Sequence, residues 1–238
     1  MKIALLGYGR MGKAIETIAQ NRGHEIVLRI QSNNRELLST YNTNEIDVAI
    51  DFSLPETAFE NLKWCMEHKI PAICGTTGWL DKKAEIEQLC IDHNNAFLYA
   101  SNFSLGVNLF FELNNKLATL MKSYDEYDVK LHEIHHTKKL DAPSGTAITL
   151  AEDIISQLPS KKAWVCDKDA KENELSISTA RIDPTPGTHS IAYTSEIDSI
   201  EITHTAHNRQ GFALGAVIAS EWILQRHGVF TMKDVLFG

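Results

Sequence analysis

The chain opens with Lys2-Ile-Ala-Leu-Leu-Gly-Tyr-Gly-Arg-Met-Gly12, and this stretch decides the fold of its first half. Its apolar beginning is typical of a buried strand, and the following segment 10–21 carries apolar residues at helical spacing. The three glycines between them fit G-x-G-x-x-G in the strand–loop–helix context that the motif requires. Glycines allow the backbone to approach a pyrophosphate closely, and the helix start offers it free N–H groups. The stretch therefore predicts a dinucleotide-binding unit.

Apolar strands and amphipathic helices alternate through the rest of the first hundred residues. Such alternation predicts a parallel sheet covered by helices on both faces, as in a Rossmann-type α/β domain. Strands are expected at 2–6, 24–30, 46–52, 70–74 and 96–100, and helices at 10–21, 55–68, 80–93 and 104–124.

The second half changes character, since several strand-like runs follow one another. This pattern predicts an α+β domain with a mixed sheet, followed by a helix that packs back on the first domain. Strands are expected at 126–136, 175–181, 188–195 and 199–207, and helices at 144–158 and 211–226. The predicted domains are 1–106 with 209–238 for dinucleotide binding, and 107–208 for substrate binding and oligomerisation.

Bulk composition excludes several classes of protein. The chain has 238 residues, is 43% hydrophobic and has a net charge of −8, with no strongly basic stretch, so nucleic acid is not an expected partner. No segment has the roughly 18 consecutive apolar residues of a transmembrane helix. The four cysteines form no C-x-x-C pair, which favours reduced thiols. We expect a cytoplasmic protein with no membrane partner.

A second informative stretch is Glu133-Ile-His-His-Thr-Lys-Lys-Leu-Asp-Ala-Pro-Ser-Gly-Thr146. It places imidazole and ammonium groups beside a predicted helix start that suits a carboxylate. A lysine ammonium in a partly dry pocket is a competent proton donor, and Lys139 would also attract an anionic substrate. His135 and His136 face opposite ways on a strand. Spacing alone does not choose which of the two reaches the site.

A pattern that overlaps the start of this stretch is misleading. His132-Glu-Ile-His-His136 satisfies the H-E-x-x-H zinc motif, which requires a helix to bring both imidazoles onto one metal. The local sequence favours a strand, in which residues 132 and 136 lie roughly 13 Å apart. We expect no metal at this site, and a zinc hydrolase is rejected on this ground.

The residues at the end of the second strand predict whether the glycine loop binds NADH or NADPH. An NAD site usually places an acid there to hold the ribose 2′-hydroxyl. Here the segment reads Leu28-Arg-Ile-Gln-Ser-Asn-Asn-Arg35 with no acid, and Arg29, Ser32 and Arg35 could instead meet a 2′-phosphate. We therefore predict that NADPH is used at least as well as NADH.

These motifs together resemble the 4-hydroxy-tetrahydrodipicolinate reductase (dihydrodipicolinate reductase) family of the diaminopimelate route to lysine. The resemblance spans nearly the whole chain and is highly specific in the second stretch. It is carried by Gly9-Arg-Met-Gly12, Asp51-Phe52, Gly75-Thr-Thr-Gly78, Asn102-Phe-Ser-Leu-Gly-Val-Asn108, the segment Glu133–Thr146, and Glu201-Ile-Thr-His204 followed by Arg209.

The resemblance implies a two-domain homotetramer that reduces a cyclic unsaturated dicarboxylate with NADPH or NADH. It implies that His135 is the acid/base residue and Lys139 the proton donor. Substrate binding is assigned to His136, Ser144, Gly145, Thr146 and Arg209. Cofactor binding is assigned, from the glycine loop and the resemblance together, to Gly7, Tyr8, Gly9, Arg10, Met11, Gly12, Arg29, Phe52, Gly75, Thr76, Thr77, Ala100, Ser101, Asn102 and Phe103.

The chain also departs from the family pattern. Its glycine loop is one residue shorter than the commoner form, and Asp183 stands at the first glycine position of the Arg181–His189 loop. Two other functions remain as alternatives, another nicotinamide dehydrogenase on the same architecture and a nucleotide sensor without catalysis. Other nicotinamide dehydrogenases of this architecture lack a segment like Glu133–Thr146. A nucleotide sensor would have no use for the acid/base groups of that segment.

Overall fold

The computed structural model describes residues 1–208 and 210–238. They form two compact units, Met1–Leu105 with Gln210–Gly238, and residues 106–208. In chain order the strands are β1 (Lys2–Leu6), β2 (Glu25–Ile30), β3 (Val48–Asp51), β4 (Ala72–Cys74), β5 (Ala96–Tyr99), β6 (Asp128–His135), β7 (Ala163–Cys166), β8 (Glu174–Arg181), β9 (Gly187–Thr194), β10 (Ser199–Ala206) and β11 (Gly228–Phe230). The helices are α1 (Arg10–Asn21), α2 (Pro55–Glu67), α3 (Lys83–Asp92), α4 (Leu105–Met121), α5 (Gly145–Gln157), α6 (Gln210–Ile223) and α7 (Met232–Phe237).

The first unit is built on a six-stranded sheet in the order β11-β5-β4-β3-β1-β2, in which every strand pair is parallel. Its central strands are buried on both faces, which explains why they are continuously apolar in sequence. One face packs against α1 and α6, with Ile15 and Val217 in the core. The other packs against α2 and α3, with Leu62 and Ile86 in the core.

The second unit contains a five-stranded sheet in the order β10-β9-β6-β8-β7. The β6 strand is parallel to β8 and antiparallel to β9, so the sheet is mixed. Its inner face packs under α4 and α5 around Leu131, Leu150, Ile177 and Tyr193. The parallel sheet and the mixed sheet together confirm the predicted fold class.

The outer face of the mixed sheet is polar and made largely of short side chains. Side chains alternate between the two faces of a strand, so residues next to the buried ones share this face. Across it, Ser190 Oγ lies 2.9 Å from Thr203 Oγ1, and His132 Nδ1 lies 2.8 Å from Ser178 Oγ. We call this surface, formed by alternate residues of β6, β8, β9 and β10, the outer sheet face.

Three short elements were not predicted from the sequence, namely β7, β11 and α7. Each has only three to six residues, which is too short to show a hydrophobic period. The predicted helix at 80–93 is also corrected, because its first turn is a 3₁₀ turn over Leu80–Lys82. None of the helices in the described part of the chain has the length and hydrophobicity needed to cross a membrane.

Candidate active site

The glycine loop lies at the carboxyl edge of the parallel sheet, where β1 and β3 both end. Gly7 has a φ of +97°, and a Cβ added there would lie 2.2 Å from the carbonyl oxygen of Phe52, so this close approach requires glycine. The loop borders a cavity of about 320 Å³. Its lining includes the predicted cofactor residues Gly7, Tyr8, Gly9 and Phe52, together with Ile30, Gln31, Ser32, Arg35, Ser53, Leu54, Thr57 and Asn61.

A buried carboxylate ties two of the loops at this edge together. Asp51 ends β3 and is fully buried. Its oxygens accept hydrogen bonds from Ser53 Oγ at 3.0 Å, from Asn61 Nδ2 at 2.9 Å and from the hydroxyl of Thr76. Burial raises the pKa of Asp51, and these hydrogen bonds oppose the rise. The hydroxyl of Thr76, a predicted cofactor ligand, is therefore already occupied within the protein.

Arg29, which we predicted to meet the cofactor, has another partner in the structure. Its guanidinium binds Glu16 of α1, with Nε donating to Oε2 at 3.2 Å, and its Cζ lies 5.8 Å from the ring centroid of Tyr8. By contrast, Arg35 lines the cavity itself. Arg35 is therefore better placed than Arg29 to meet a phosphate in this cavity.

The remaining predicted cofactor residues lie on the same edge or beneath it. Gly12 packs against the glycine loop, since an added Cβ would lie 2.4 Å from the oxygen of Gly7. Gly75 lies under the ring of Phe52, which in turn lies 5.5 Å from the ring of Phe103. Phe103 is only 1% exposed and belongs to the core. Arg10, Thr77 and Ser101 are exposed, and Met11, Ala100 and Asn102 are half-buried.

In the second unit, β6 brings Glu133 and His135 to the inner face of the mixed sheet, because they are two residues apart. The adjacent β9 places His189 directly opposite Glu133 in the register. Glu133 Oε2 lies 3.7 Å from His135 Nδ1 and 3.6 Å from His189 Nε2. The two imidazole rings meet edge to face at 5.1 Å. All three residues are buried.

The start of α5 joins this cluster. Ser144 caps the helix by accepting a hydrogen bond from Ala147 N at 3.2 Å, and its Oγ also lies 3.1 Å from His189 Nε2. Its own N–H donates to both carboxylate oxygens of Glu133, at 3.2 and 3.1 Å. Ser144 is only 3% exposed, so the polar groups of this predicted substrate ligand are engaged in the protein.

The loop between β6 and α5 carries Lys139. Its Nζ contacts both carboxylate oxygens of Asp141, at 2.9 and 2.7 Å. Arg181 of β8 supports the loop, since its guanidinium donates to the carbonyl oxygens of Lys139 at 3.4 Å and Asp141 at 2.7 Å. Arg181 Nη1 also lies 3.5 Å from Glu133 Oε1. The predicted proton donor is thus linked to the buried cluster through Arg181.

The environment sets the charge of the two central groups. Burial lowers the pKa of His135 to about 4, the charges of His189, Lys139 and Arg181 add to this effect, and Glu133 opposes it. Burial also acts to raise the pKa of Glu133, but contacts with His189 and Ser144 outweigh it and hold that pKa at about 2. At neutral pH the site therefore contains a neutral His135 and an ionised Glu133.

The other predicted substrate residues surround this cluster. Gly145 is exposed and Thr146 half-exposed at the first turn of α5, where N–H groups lack intrahelical acceptors. His136 is half-buried, and its Nδ1 has no hydrogen-bond partner among the described residues. Arg209 lies outside the residues that the structure describes.

The strand assigned to residues 128–135 supports the rejection of the zinc motif. His132 lies on the outer sheet face and contacts Ser178, whereas Glu133 points inward. Glu133, His135 and His189 do offer three ligand atoms within 4.8 Å of one another. However, the oxygens of Glu133 already accept the N–H of Ser144 and face the Arg181 cation. We interpret this cluster as a hydrogen-bonded and charged network.

Sequence reasoning did not assign roles to Glu133, His189 and Arg181. One signal was available, because strand alternation predicts that Glu133 shares a face with His135. His189 and Arg181 come from other strands, and their approach depends on the register of the sheet.

Comparisons with known proteins agree over the whole chain. The family model described as dihydrodipicolinate reductase, N-terminus, matches residues 1–103, and the one described as dihydrodipicolinate reductase, C-terminus, matches residues 106–236. The chain is 55% identical over 238 residues to a 4-hydroxy-tetrahydrodipicolinate reductase of Christiangramia forsetii, covering 99% of this chain and 98% of that one. It is 35% identical to the reductase of the same name from Alkaliphilus oremlandii, covering 96% and 95%.

Solved structures show the same fold. A dipicolinate-bound dihydrodipicolinate reductase from a Paenisporosarcina species matches with a TM-score of 0.79 and 23% identity, covering 100% of this chain and 99% of that one. An amine dehydrogenase from Mycobacterium smegmatis matches with a TM-score of 0.61 and 11% identity, covering 98% and 95%.

The charge state of His135 predicts how stability depends on pH. Its pKa is about 4 in the folded protein against an ordinary 6.5, so the unfolded chain binds the proton more tightly. The free energy of unfolding of the second unit should therefore fall as pH drops from 6.5 towards 4, by on the order of 3 kcal/mol from this group. Denaturant titrations at several pH values measure the fall. His135→Gln should show a smaller fall, and an identical pH dependence would contradict the assignment.

Proposed function

This chain belongs to the dihydrodipicolinate reductase family, and from that membership we infer that it is a 4-hydroxy-tetrahydrodipicolinate reductase. The reaction reduces 4-hydroxy-tetrahydrodipicolinate to tetrahydrodipicolinate with NADPH or NADH, in the diaminopimelate pathway of lysine biosynthesis. The observation that carries this inference is the match of both halves of the chain to the two halves of the family, at 55% identity to a named reductase.

The first unit is the dinucleotide-binding domain in this proposal. Gly7 and Gly9 border the cavity at the carboxyl edge of the sheet, and a Cβ at Gly7 would overlap the backbone of Phe52. These features suit a pyrophosphate held by backbone N–H groups at the start of α1. When bound there, the reduced nicotinamide supplies a hydride. Arg35 and Ser32 take the role at the ribose 2′-position that the sequence analysis also considered for Arg29.

The second unit is the substrate domain. The N–H groups of Gly145 and Thr146, together with the positive end of the α5 dipole, bind one carboxylate of the ring. Ser144 orients this helix start through its cap and its contact with His189. His136 and Arg209 contact the substrate, with Arg209 on the second carboxylate.

Reduction of the conjugated ring also needs a proton at the carbon next to the one that receives hydride. Lys139 carries an ammonium group and donates this proton, after exchanging its contact with Asp141 for the substrate. His135 is neutral near pH 7 and is suited to accept or relay a proton rather than to donate one. The two groups therefore have complementary roles in acid/base catalysis.

The protein acts as a homotetramer in the cytoplasm in this proposal. The outer sheet face supports association, because it carries short hydroxyl side chains that form pairs such as Ser190 and Thr203. The four cysteines are free thiols, as expected for a reducing compartment.

Turnover with each cofactor tests the reaction and the role of Arg35 together. With enzymatically generated 4-hydroxy-tetrahydrodipicolinate as substrate, the protein should oxidise NADPH at least as fast as NADH. The fall in nicotinamide absorbance measures both rates. Arg35→Ala removes a cation from the cavity, so KM for NADPH should rise roughly tenfold while KM for NADH changes little. Arg226→Ala, which removes an exposed arginine that is not assigned to the cofactor site, is the control and should leave both KM values unchanged. No oxidation of either cofactor by folded protein would refute the proposed reaction.

The proton donor is tested by a matched pair of lysine variants. Lys139→Ala should lower kcat by roughly 100-fold or more because general acid catalysis is lost, with the Kd for NADPH unchanged. Lys138→Ala removes the adjacent exposed lysine and should keep nearly full activity. Steady-state kinetics and a fluorescence titration measure both quantities. Equal activity of the two variants would contradict the role of Lys139.

Light scattering tests the assembly. A tetramer has four times the 26.7 kDa mass of the chain. Ser190→Arg places a bulky charge on the outer sheet face and should shift the mass towards smaller species, whereas Ser156→Arg on the exposed side of α5 should not. A monomeric wild-type protein would refute the proposed assembly.

A further inference from the structure

We propose that Glu133 is a positioning residue that sets the geometry of the substrate site from beneath it. The inference rests on the proposed function and assigns a role to a carboxylate that the reaction itself does not require. Glu133 has no exposed surface, so it acts through its neighbours and not by touching the substrate.

Glu133 first fixes the start of α5. In a capping box, a Glu three residues after the N-cap accepts the N–H of the N-cap residue. Here that position is Ala147, which has no such group, and Glu133 of β6 accepts the N–H of Ser144 instead. The carboxylate thereby attaches the helix start to the sheet, and with it the N–H groups of Gly145 and Thr146.

Glu133 also holds the two imidazoles. It lies opposite His189 in the sheet register and two residues from His135. Its Oε2 lies 3.6 Å from His189 Nε2 and 3.7 Å from His135 Nδ1. The ionised carboxylate raises the proton affinity of His135 against the effect of burial. The charged groups that face this pair are Lys139 on the loop and Arg181 on β8, while His189 faces it from β9. Glu133 is therefore the one anion among them that favours a protonated His135.

The third contact is with Arg181, at 3.5 Å. The guanidinium of Arg181 donates to the carbonyl oxygens of Lys139 and Asp141. One buried carboxylate thus connects the acid/base histidine, the loop that carries Lys139 and the carboxylate-binding helix start. A misplacement of about 1 Å at a reacting group can cost roughly 100-fold in rate.

Glu133→Gln separates positioning from simple electrostatics. The substitution keeps the size of the side chain, removes its charge and points an amide at His135, His189 or Arg181. Removing a buried anion would by itself strengthen binding of a dianion. Displacing the start of α5 would weaken it. The two effects therefore change the Kd for pyridine-2,6-dicarboxylate in opposite directions. Calorimetry measures this Kd without any need for turnover.

We expect Glu133→Gln to weaken this binding roughly tenfold and to lower kcat roughly 100-fold. The Kd for NADPH should not change, and the pKa of His135 followed by NMR should fall. Glu152→Gln, an exposed carboxylate on α5, is the matched control and should resemble the wild type. Equal or tighter dicarboxylate binding by folded Glu133→Gln protein would overturn the proposal.

A second variant covers a failure of Glu133→Gln to fold. His189→Asn retains a donor towards Ser144 but loses the contact with Glu133, and it should weaken dicarboxylate binding in the same direction. If both variants fold, the double variant should be less impaired than the sum of the single effects, because the residues act through one network. Full additivity would overturn the proposal. Wild-type protein that binds the dicarboxylate but does not turn over would refute the proposed function alone.

Discussion

A carboxylate removed from water must find its hydrogen bonds and its counter-charge within the protein, and Glu133 shows how much of the second unit depends on this requirement. Its neighbours come from β6, β8, β9 and the start of α5, and Arg181 of β8 extends the network to the loop of Lys139. Because burial makes each unsatisfied oxygen costly, these elements have little freedom to separate. The chemical groups of the site are therefore fixed by a residue that lies below it.

The dinucleotide-binding domain uses the same principle without a counter-charge. Asp51 is also fully buried at the end of a strand, and its oxygens accept hydrogen bonds from Ser53, Asn61 and Thr76. These donors connect the loops that follow β3 and β4, beside the cavity. Burial raises the pKa of Asp51, whereas the pKa of Glu133 stays near 2. The difference arises because the contacts of Glu133 with His189 and Ser144 outweigh the effect of its burial, whereas the hydrogen bonds to Asp51 do not.

This arrangement bears on the roles proposed for His135 and Lys139. His135 is held neutral by burial and by the cations around it, so the standing positive charge of the proposed site belongs to Lys139 and Arg181. A dianionic substrate is attracted by those charges and by the start of α5. In this structure Asp141 forms an ion pair with Lys139. Asp141 is exposed, so replacing this ion pair by a contact between Lys139 and the substrate costs little free energy.

The sequence by itself determined the fold class, the position of nearly every long element and the segment Glu133–Thr146 as the proposed site. These features follow from local rules, since hydrophobic period, glycine spacing and capping residues act within a few positions of one another. Only the tertiary structure decided which partners these residues have. Arg29 was predicted to face the cofactor, but it pairs with Glu16 on α1, and Glu133 meets His189 and Arg181 across strands some fifty residues away. Such contacts depend on sheet register and on the need to satisfy buried charge, which no local pattern encodes.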